Sequence, residues 1–291
     1  MGNIYIVTDS TADIPLKLRE SLNIEMIPLT VHFGDEALLD AIDIHPDTFY
    51  ERLTQEEMIP TTSQPSPGDF LQLYKRILQA DRDAHIISLH LSSALSGTFQ
   101  SATLAKNLLE ADGDKLTLID TLSASYGLGA MAITAAKAAQ RGKTVDEIVQ
   151  LAHQLRERMA IFFLVDTLEY LEKGGRIGKA TAFVGSLLKI KPILTIDDEG
   201  EVSSVDKARG QLKAMNKIND WLTTKFATDE PVDLYILHAS AENYAKRLEE
   251  NVRAHFQVVG VEYRDIGAVI GTHTGPGTTA VIMVPSDGQA T

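Results

Sequence analysis

The alternation of short apolar runs with helical patterns in the first half of the chain is the feature that most restricts the fold. The predicted strands lie at 4–9, 26–33, 85–91 and 116–120. The predicted helices lie at about 47–53 and 68–79, from about Gly97, and at about 123–140. Strands that are joined through helices pair in parallel and need cover on both faces. The sequence therefore predicts βαβ units and a largely parallel sheet.

The second half of the chain predicts a mixed sheet. The stretch KPILTIDDEGEVSSV (191–205) has the pattern of a β-hairpin with its turn at 198–200. The other predicted elements are a strand at 161–168, a helix ending near Phe226, a strand in VDLYILHAS, a helix at about 244–254, and strands near 258–263 and in AVIMVP. A hairpin among βα units indicates a second α/β domain, so we expect domains at 1–158 and 159–291.

Composition excludes several classes of function. A chain of 291 residues is long enough for two domains, and its net charge of −13 argues against nucleic acid and against a cationic membrane-surface helix. The absence of cysteine rules out disulfides, thiolate catalysis and zinc–thiolate sites. No apolar run approaches the roughly 18 residues of a membrane span, and no signal-peptide pattern opens the chain. These features favour a cytoplasmic protein without stable membrane insertion.

Polar clusters rich in serine and threonine occur where the predicted strands end. They are TDST (8–11), TTSQPS (61–66), SSALSGT (92–98) and GTHTGPGTT (271–279). In open α/β sheets ligands bind at the carboxyl ends of strands, where helix N-termini favour anions. Hydroxyl groups can donate hydrogen bonds to an anion without adding a full charge. The clusters therefore suggest a receptor for a carboxylate or a phosphate.

Helix capping is the alternative explanation for each cluster. Ser66 is followed by Pro67 and by Asp69 at capping-box spacing, and Ser10 precedes Asp13 at the same spacing. Ser96 could cap the helix that follows it. Capping leaves some hydroxyl groups without an explanation, and these are Thr62, Ser63, Ser92 and Ser93.

Two further residues are candidates for a functional role. Arg176 lies among glycines in LEKGGRIG, where it could reach an anion or a partner, although a charged residue near a helix C-cap is an equal alternative. His273 lies in what we expect to be a glycine-rich loop, and a lone histidine is more often structural. The sequence has no P-loop, no GxGxxG after a strand, no GxSxG elbow and no metal-ligand spacing such as HExxH. We therefore predict no metal site and no nucleotide site.

Five ordered motifs together resemble the DegV family, the bacterial fatty-acid-binding proteins. They are VTDSTADIP, PTTSQPSPGDF, LSSALSGTFQSA, LEKGGRI followed by LKIKPIL, and GTHTGPG. The resemblance runs from about Ile4 to Pro285. It implies two α/β domains that bury a long-chain fatty acid, such as palmitate, between them. It implies no cofactor beyond this bound ligand.

The resemblance also assigns roles to individual residues. Thr62 and Ser93, together with Ser63, would bind the ligand carboxylate, and His273 would lie near it. Arg176 and Arg209 would face a partner, a separate ATP-dependent kinase subunit that converts the bound carboxylate to an acyl phosphate. The chain itself would then present its ligand without being an enzyme.

Two alternatives remain open at the level of sequence. One is a lipid sensor or carrier that has no kinase partner. The other is a free-standing hydrolase or small-molecule kinase that uses Ser93 or His273.

Overall fold

The computed structural model describes residues 3–56, 58–185 and 190–286. The first two residues of the LKIKPIL motif, at 188–189, lie outside this part of the chain. The described residues divide into two compact units. The first unit comprises Met1–Ile44 and Thr61–Glu157, and the second comprises His45–Pro60 and Arg158–Thr291.

The residues that the structure describes form thirteen strands. In chain order they are β1 (Ile4–Asp9), β2 (Ile24–Ile27), β3 (Thr30–Phe33), β4 (Glu36–Leu39), β5 (Thr61–Ser63), β6 (His85–His90), β7 (Leu116–Asp120), β8 (Ala160–Leu164), β9 (Lys191–Ile196), β10 (Val202–Ala208), β11 (Val232–His238), β12 (Val258–Asp265) and β13 (Thr279–Pro285).

Helices connect most of these strands. In chain order they are α1 (Leu16–Ser21), α2 (Pro46–Gln55), α3 (Pro67–Ala80), α4 (Thr98–Leu108), α5 (Tyr126–Gln140), α6 (Val145–Arg158), α7 (Glu169–Lys173), α8 (Gln211–Leu222), α9 (Glu242–Arg253) and α10 (Ala268–Thr274). Short 3-10 helices lie at Ser10–Ala12, Glu110–Lys115 and Gly178–Phe183.

The first unit contains the predicted parallel sheet. Its strand order is β2-β1-β6-β7, and every pairing in it is parallel. Val7 and Ile86 are fully buried in one core with Phe70 of α3 and Ala102 of α4. Helix α5 packs against β1, β2 and β6. Sequential strands joined by helices therefore pair in parallel here, as the alternation predicts.

The prediction of one strand over 26–33 is wrong. The segment contributes β2 to the parallel sheet and β3 to a separate antiparallel sheet of order β4-β3-β5. Pro28 lies between them and has no N–H to donate, so it interrupts the pairing. The backbone N–H of Leu29 then donates to the Ser10 hydroxyl, at 3.1 Å. The chain therefore leaves one sheet and enters the other at these two residues.

The second unit contains the predicted mixed sheet. Its strand order is β10-β9-β8-β13-β11-β12, in which β11 and β12 are parallel and the other pairings are antiparallel. The predicted hairpin over 191–205 is confirmed as β9 and β10. Phe162, Ile236 and Val281 share a core with Ile218 of α8 and Leu248 of α9.

The segment 45–60 was not predicted to belong to the second unit. It carries α2, whose Tyr50 hydroxyl donates to the carbonyl of Ile266, at 2.9 Å. A tyrosine buried to 3% exposure with its hydroxyl satisfied holds α2 firmly in this unit. A single boundary near residue 158 therefore does not describe the division, because the chain leaves the first unit after Ile44 and returns at Thr61.

Candidate functional site

The TDST loop comprises the last two residues of β1 and the start of the 3-10 helix that follows, at the carboxyl edge of the parallel sheet. Asp9 is fully buried, and its carboxylate accepts hydrogen bonds from the N–H and hydroxyl of Thr11, at 3.1 and 2.5 Å. It also accepts from the N–H of Leu91, at 3.1 Å, and contacts Nδ1 of His90 at 3.0 Å. Four donors satisfy the carboxylate, as a buried charge requires.

A buried polar chain extends from Asp9 into the core. His90 Nε2 lies 2.7 Å from the Ser88 hydroxyl, which lies 2.9 Å from the hydroxyl of Tyr74. Tyr74 can donate to Ser88, Ser88 can donate to Nε2 of His90, and Nδ1–H of His90 can donate to Asp9, which gives every polar atom of this chain of contacts a partner. Burial raises the pKa of Tyr74, which keeps its hydroxyl protonated.

Ser10 does not cap a helix, contrary to the prediction from its spacing to Asp13. Asp9 is the N-cap of the short 3-10 helix at 10–12, and the Ser10 hydroxyl accepts from the N–H of Leu29 instead. Asp13 has a positive φ of 52° and accepts a hydrogen bond from the hydroxyl of Ser125. The loop thus connects β1 to two distant segments of the same unit.

Thr62 and Ser63 lie in strand β5 rather than in a loop. Thr62 pairs with the fully buried Val31, and Ser63 pairs with Thr30. Successive residues of a strand point to opposite faces, so the two hydroxyls cannot serve one head group from the same face. Ser63 instead lies 2.9 Å from Nε2 of His32. Thr62, half-buried on the face that carries Val31, is the one that stays a ligand candidate.

The end of the TTSQPS cluster joins the strand to helix α3. Ser66 is the N-cap of α3, and its hydroxyl accepts from the N–H of Asp69, at 3.2 Å, while the Asp69 carboxylate accepts from the N–H of Ser66. The predicted capping box is therefore confirmed. The Gln64 side chain lies against Gly97, where a Cβ would come within 2.9 Å of Nε2. This contact brings the TTSQPS segment and the SSALSGT loop together.

The SSALSGT loop follows β6 at the same sheet edge as TDST. Ser92 is fully buried, and its hydroxyl accepts from the N–H of Ala94, at 3.2 Å, so it stabilises the turn. Ser93 is exposed, and its N–H donates to both carboxylate oxygens of Asp120, at 3.2 and 3.3 Å. The carboxylate of Asp120 also accepts from the N–H of Leu122, at 3.1 Å. Asp120 therefore fixes the backbone of the residue that carries the candidate hydroxyl.

In the second unit, the LEKGGRI motif ends helix α7 in a Schellman motif. The N–H of Arg176 donates to the carbonyl of Leu171, and the N–H of Gly175 donates to that of Glu172. Gly175 has a φ of +69°, which glycine adopts without strain. The Arg176 guanidinium turns back to the carbonyl of Gly174, at 2.6 Å. The C-cap explanation is thus confirmed for the backbone, and it holds Arg176 at a fixed place.

His273 lies in the last turn of α10, so its expected position in a loop is wrong. Its ring lies against Gly174, where a Cβ would come within 2.3 Å of Nδ1. Burial, and after it the positive charge of Arg176, lower the pKa of His273 to about 4. The imidazole is therefore neutral at pH 7, and the structure brings together His273 and Arg176 from separate motifs.

The remaining residues of the GTHTGPGTT cluster have structural roles. The hydroxyls of Thr272, Thr274 and Thr278 donate to carbonyls of α10 and of the turn after it, at 2.8 to 3.1 Å. A Cβ on Gly271 would lie 2.4 Å from the Tyr50 hydroxyl, and one on Gly275 would lie 2.3 Å from the Tyr170 ring. This cluster begins within α10 and ends at the first residue of β13, so only TDST and SSALSGT lie at strand ends as predicted.

Arg209 is exposed immediately after β10. The backbone of Gly178, two residues after Arg176, lies against the carbonyl of Val202 at the opposite end of that strand. A strand of seven residues spans roughly 20 Å at about 3.3 Å per residue. A partner that contacted both arginines would therefore have to extend along β10.

Asp120 was not identified from the sequence, and Asp9 and Ser10 were identified only as members of the TDST cluster, without these contacts. Each acts through a backbone N–H that lies far along the chain, and no local spacing marks such a contact. Within the described residues no group of three or more histidine, aspartate or glutamate side chains could hold a metal ion. Across the same ranges, no helix has both the length and the apolar character to span a membrane.

The fold and the site geometry together define a class of protein. It is a two-unit α/β protein with a hydroxyl-rich strand edge in one unit and a histidine–arginine pair in the other. The DegV family, described as uncharacterised proteins, matches residues 3–286. Protein DegV of Bacillus subtilis is 36% identical over 280 residues, which cover 96% of this chain and 98% of that protein. The chain therefore belongs to the DegV family.

Solved structures of relatives have the same fold. A DegV family protein of Thermus thermophilus, described by its fatty acid binding, is 35% identical, with a TM-score of 0.90 over 98% of this chain and 100% of that one. DegV of Bacillus subtilis, described as a fatty acid binding protein, is 34% identical, with a TM-score of 0.87 over 98% and 100% of the two chains.

Proposed function

We propose that this protein binds a long-chain fatty acid such as palmitate, and that the hydroxyls of Thr62 and Ser93 hold its carboxylate. The observation that carries this proposal is the whole-chain similarity to two relatives described as binding fatty acids, at 35% and 34% identity. Geometry within the first unit supports it, because Thr62 is half-buried opposite the buried Val31 of β3 and Asp120 fixes the backbone of Ser93.

The chemistry of the ligand suits such a receptor. A carboxylate removed from water needs several hydrogen bonds, and hydroxyl donors supply them without neutralising the charge. Each buried methylene of an acyl chain contributes about 0.8 kcal/mol, so the tail supplies the affinity. A carboxylate held only by neutral groups remains a nucleophile.

We further propose that a separate ATP-dependent kinase subunit phosphorylates the bound ligand. A carboxylate oxygen would attack the γ-phosphoryl group of ATP, with ADP leaving, to give an acyl phosphate. The chain has no P-loop motif, so the nucleotide would come with the partner. Phosphoryl transfer needs cationic groups around the moving charge, and Arg176 is one candidate. Arg209 would contact the partner farther along β10. We accordingly propose a cytoplasmic location, where the partner would have ATP.

His273 has a less direct role in this proposal. As a neutral imidazole it can donate one hydrogen bond to an anion or accept one from a hydroxyl. Burial, and after it the charge of Arg176, keeps the imidazole neutral, so it would act without adding charge. The assignment to the ligand carboxylate stays a prediction, which His273→Gln tests by retaining a donor without the ring.

The first experiment identifies the bound lipid. Purified protein is denatured and extracted with organic solvent, and the extract is analysed by mass spectrometry. We expect a long-chain fatty acid in stoichiometric amount. An empty extract from protein that is folded by circular dichroism would contradict the assignment.

Substitutions then test the residues. Thr62→Val and Ser93→Ala should each weaken palmitate binding about tenfold or more, because each removes a hydrogen bond to a charged group. Arg176→Ala should leave palmitate binding intact and slow acyl phosphate formation by the kinase, whereas Arg247→Ala, exposed on α9, is the matched control. Acyl phosphate made from ATP by the purified chain alone would instead indicate an enzyme. Binding that no kinase uses would indicate a carrier or sensor.

A further inference from the structure

Two adjacent residues of the TDST loop reach both segments of the candidate receptor. Thr62 and Ser93 belong to different parts of the first unit, one in β5 and the other after β6. We propose that Asp9 and Ser10 are positioning residues that set the separation of these two hydroxyls. This inference rests on the proposed function, since it concerns the same carboxylate receptor.

Asp9 acts on the Ser93 side of the receptor. Its carboxylate accepts from the N–H of Leu91, at 3.1 Å, two residues before Ser93. It also holds the imidazole of His90, the last residue of β6, at 3.0 Å. The bond from His90 to Ser88, at 2.7 Å, fixes the other side of the ring. Asp9 therefore sets where the chain leaves β6.

Ser10 acts on the Thr62 side of the receptor. Its hydroxyl accepts from the N–H of Leu29, at 3.1 Å, and the carbonyl of Leu29 accepts from the N–H of Asp40, at 2.9 Å. Leu29 directly precedes β3, in which Val31 pairs with Thr62 of β5. The two bonds fix Leu29 on both sides, so Ser10 sets where β3 begins and, through the antiparallel pairing of Thr30 with Ser63, where its partner β5 ends.

Burial excludes a direct role in ligand binding for both residues. Asp9 is 0% exposed and Ser10 is 4% exposed, and their side-chain oxygens accept from the backbone N–H groups of Leu91 and Leu29. They can affect a ligand only through the backbone that they hold. Hydrogen bonds weaken steeply with poor distance and angle, so a small shift of either segment would weaken one hydroxyl contact to the carboxylate.

Double-mutant cycles on palmitate affinity test this arrangement. The delipidated full chain is titrated with palmitate by calorimetry for Ser10→Ala and Asp9→Asn, each alone and combined with Thr62→Val or Ser93→Ala. We expect each single positioning variant to weaken palmitate binding about fivefold. The Ser10→Ala loss should largely disappear in the Thr62→Val background and persist with Ser93→Ala. The Asp9→Asn loss should show the opposite pattern.

The control and the contrary outcomes keep the test decisive. Thr144→Ala removes the capping box of α6 in the same unit, so it should lower stability without changing palmitate affinity. If the loss of palmitate affinity in a positioning variant adds fully to the losses in both Thr62→Val and Ser93→Ala, the positioning roles are wrong. If Asp9→Asn does not fold, the Ser10→Ala cycle alone decides. If Thr62→Val and Ser93→Ala leave palmitate affinity unchanged, the proposed receptor is wrong, and so is this inference. Additive losses refute only the inference.

Discussion

Each unit has a polar region that we call its polar corner: Asp9 and Ser10 form it in the first unit, and His273 with Arg176 forms it in the second. The two corners are built by different means. In the first unit, Asp9 and Ser10 hold neighbouring segments through hydrogen bonds to backbone N–H groups, at 3.1 Å in each case. In the second, the His273 corner depends on glycines that allow close contact, with Gly174 against His273 and Gly275 against the Tyr170 ring. Gly129 against the carbonyl of Ala12 is a similar contact in the first unit, so the difference is one of degree.

This difference indicates how each corner should fail. A corner held by hydrogen bonds loses stability when a polar atom is removed, because a buried donor is left unsatisfied. A corner held by glycines loses stability when a single carbon is added, because the neighbours have no space for it. Substitutions that change one atom or add one methyl group can therefore show whether hydrogen bonds or close packing at glycines stabilise each corner.

The largest effect is expected for Gly275→Ala in the second unit. Its φ of +76° disfavours a side chain, and a Cβ would lie 2.3 Å from the Tyr170 ring. Gly142→Ala is the matched control, because Gly142 has the same φ of +76° with no atom within 4 Å of a Cβ. We expect the control to lose about 1–2 kcal/mol of unfolding free energy and Gly275→Ala about 3–5. Equal losses in urea unfolding would show that contact with Tyr170 contributes nothing.

A smaller but still large effect is expected for Asp9→Asn in the first unit. The amide keeps the shape of the side chain but removes the charge and one acceptor oxygen from a site with four donors. We expect a loss of about 2–3 kcal/mol in unfolding free energy. Asp114→Asn, at an exposed position, should change it by less than about 0.5 kcal/mol. A loss no greater than that of the control would contradict the hydrogen-bonded design.

Local sequence pattern predicted the elements that local chemistry determines. Strands at 4–9 and 116–120 were recovered because each is an apolar run that ends at a polar residue, and the cap at Ser66 because its partner is three residues away. Strands β4 and β5 were missed. Both are short and largely exposed or half-buried, so their strand character comes from pairing with β3 and not from their own pattern.

The site was less predictable because its contacts join distant parts of the chain. Ser10 has the spacing of a cap, yet its partner is Leu29, and nothing near either residue indicates this. The alternation rule could have separated Thr62 from Ser63, but only after the segment was known to be a strand. Likewise His273 could not be placed beside Arg176 without the fold, since the two lie in separate motifs.

A modest effect is expected at the cap of α3. Ser66→Ala removes the hydroxyl that accepts from the N–H of Asp69, at 3.2 Å, and should lower the free energy of unfolding by about 1 kcal/mol. Ser66→Asn retains a capping oxygen and should recover most of that loss. Both variants should keep their palmitate affinity, in contrast to Thr62→Val. A loss of binding in Ser66→Ala would show that the cap also positions the ligand.

The smallest change, and the one most specific to the second unit, concerns the pKa of His273. The folded pKa of about 4 lies below the ordinary value of 6.5, so the unfolded chain takes up the proton first as pH falls. The stability that neutral His273 contributes is therefore present above about pH 6.5 and is lost as pH falls toward 4. Removing the charge of Arg176 removes the lesser of the two causes, so Arg176→Met should raise this pKa while burial keeps it below 6.5.

An NMR titration of the His273 imidazole measures its midpoint in the wild type and in Arg176→Met. The signal is assigned by its loss in His273→Gln. The lysine variant Arg176→Lys retains the positive charge and should leave the midpoint closer to that of the wild type. An unchanged midpoint in Arg176→Met would mean that burial alone sets the pKa. The corner would then be defined by packing against Gly174, and the charge of Arg176 would have no effect on the pKa of His273.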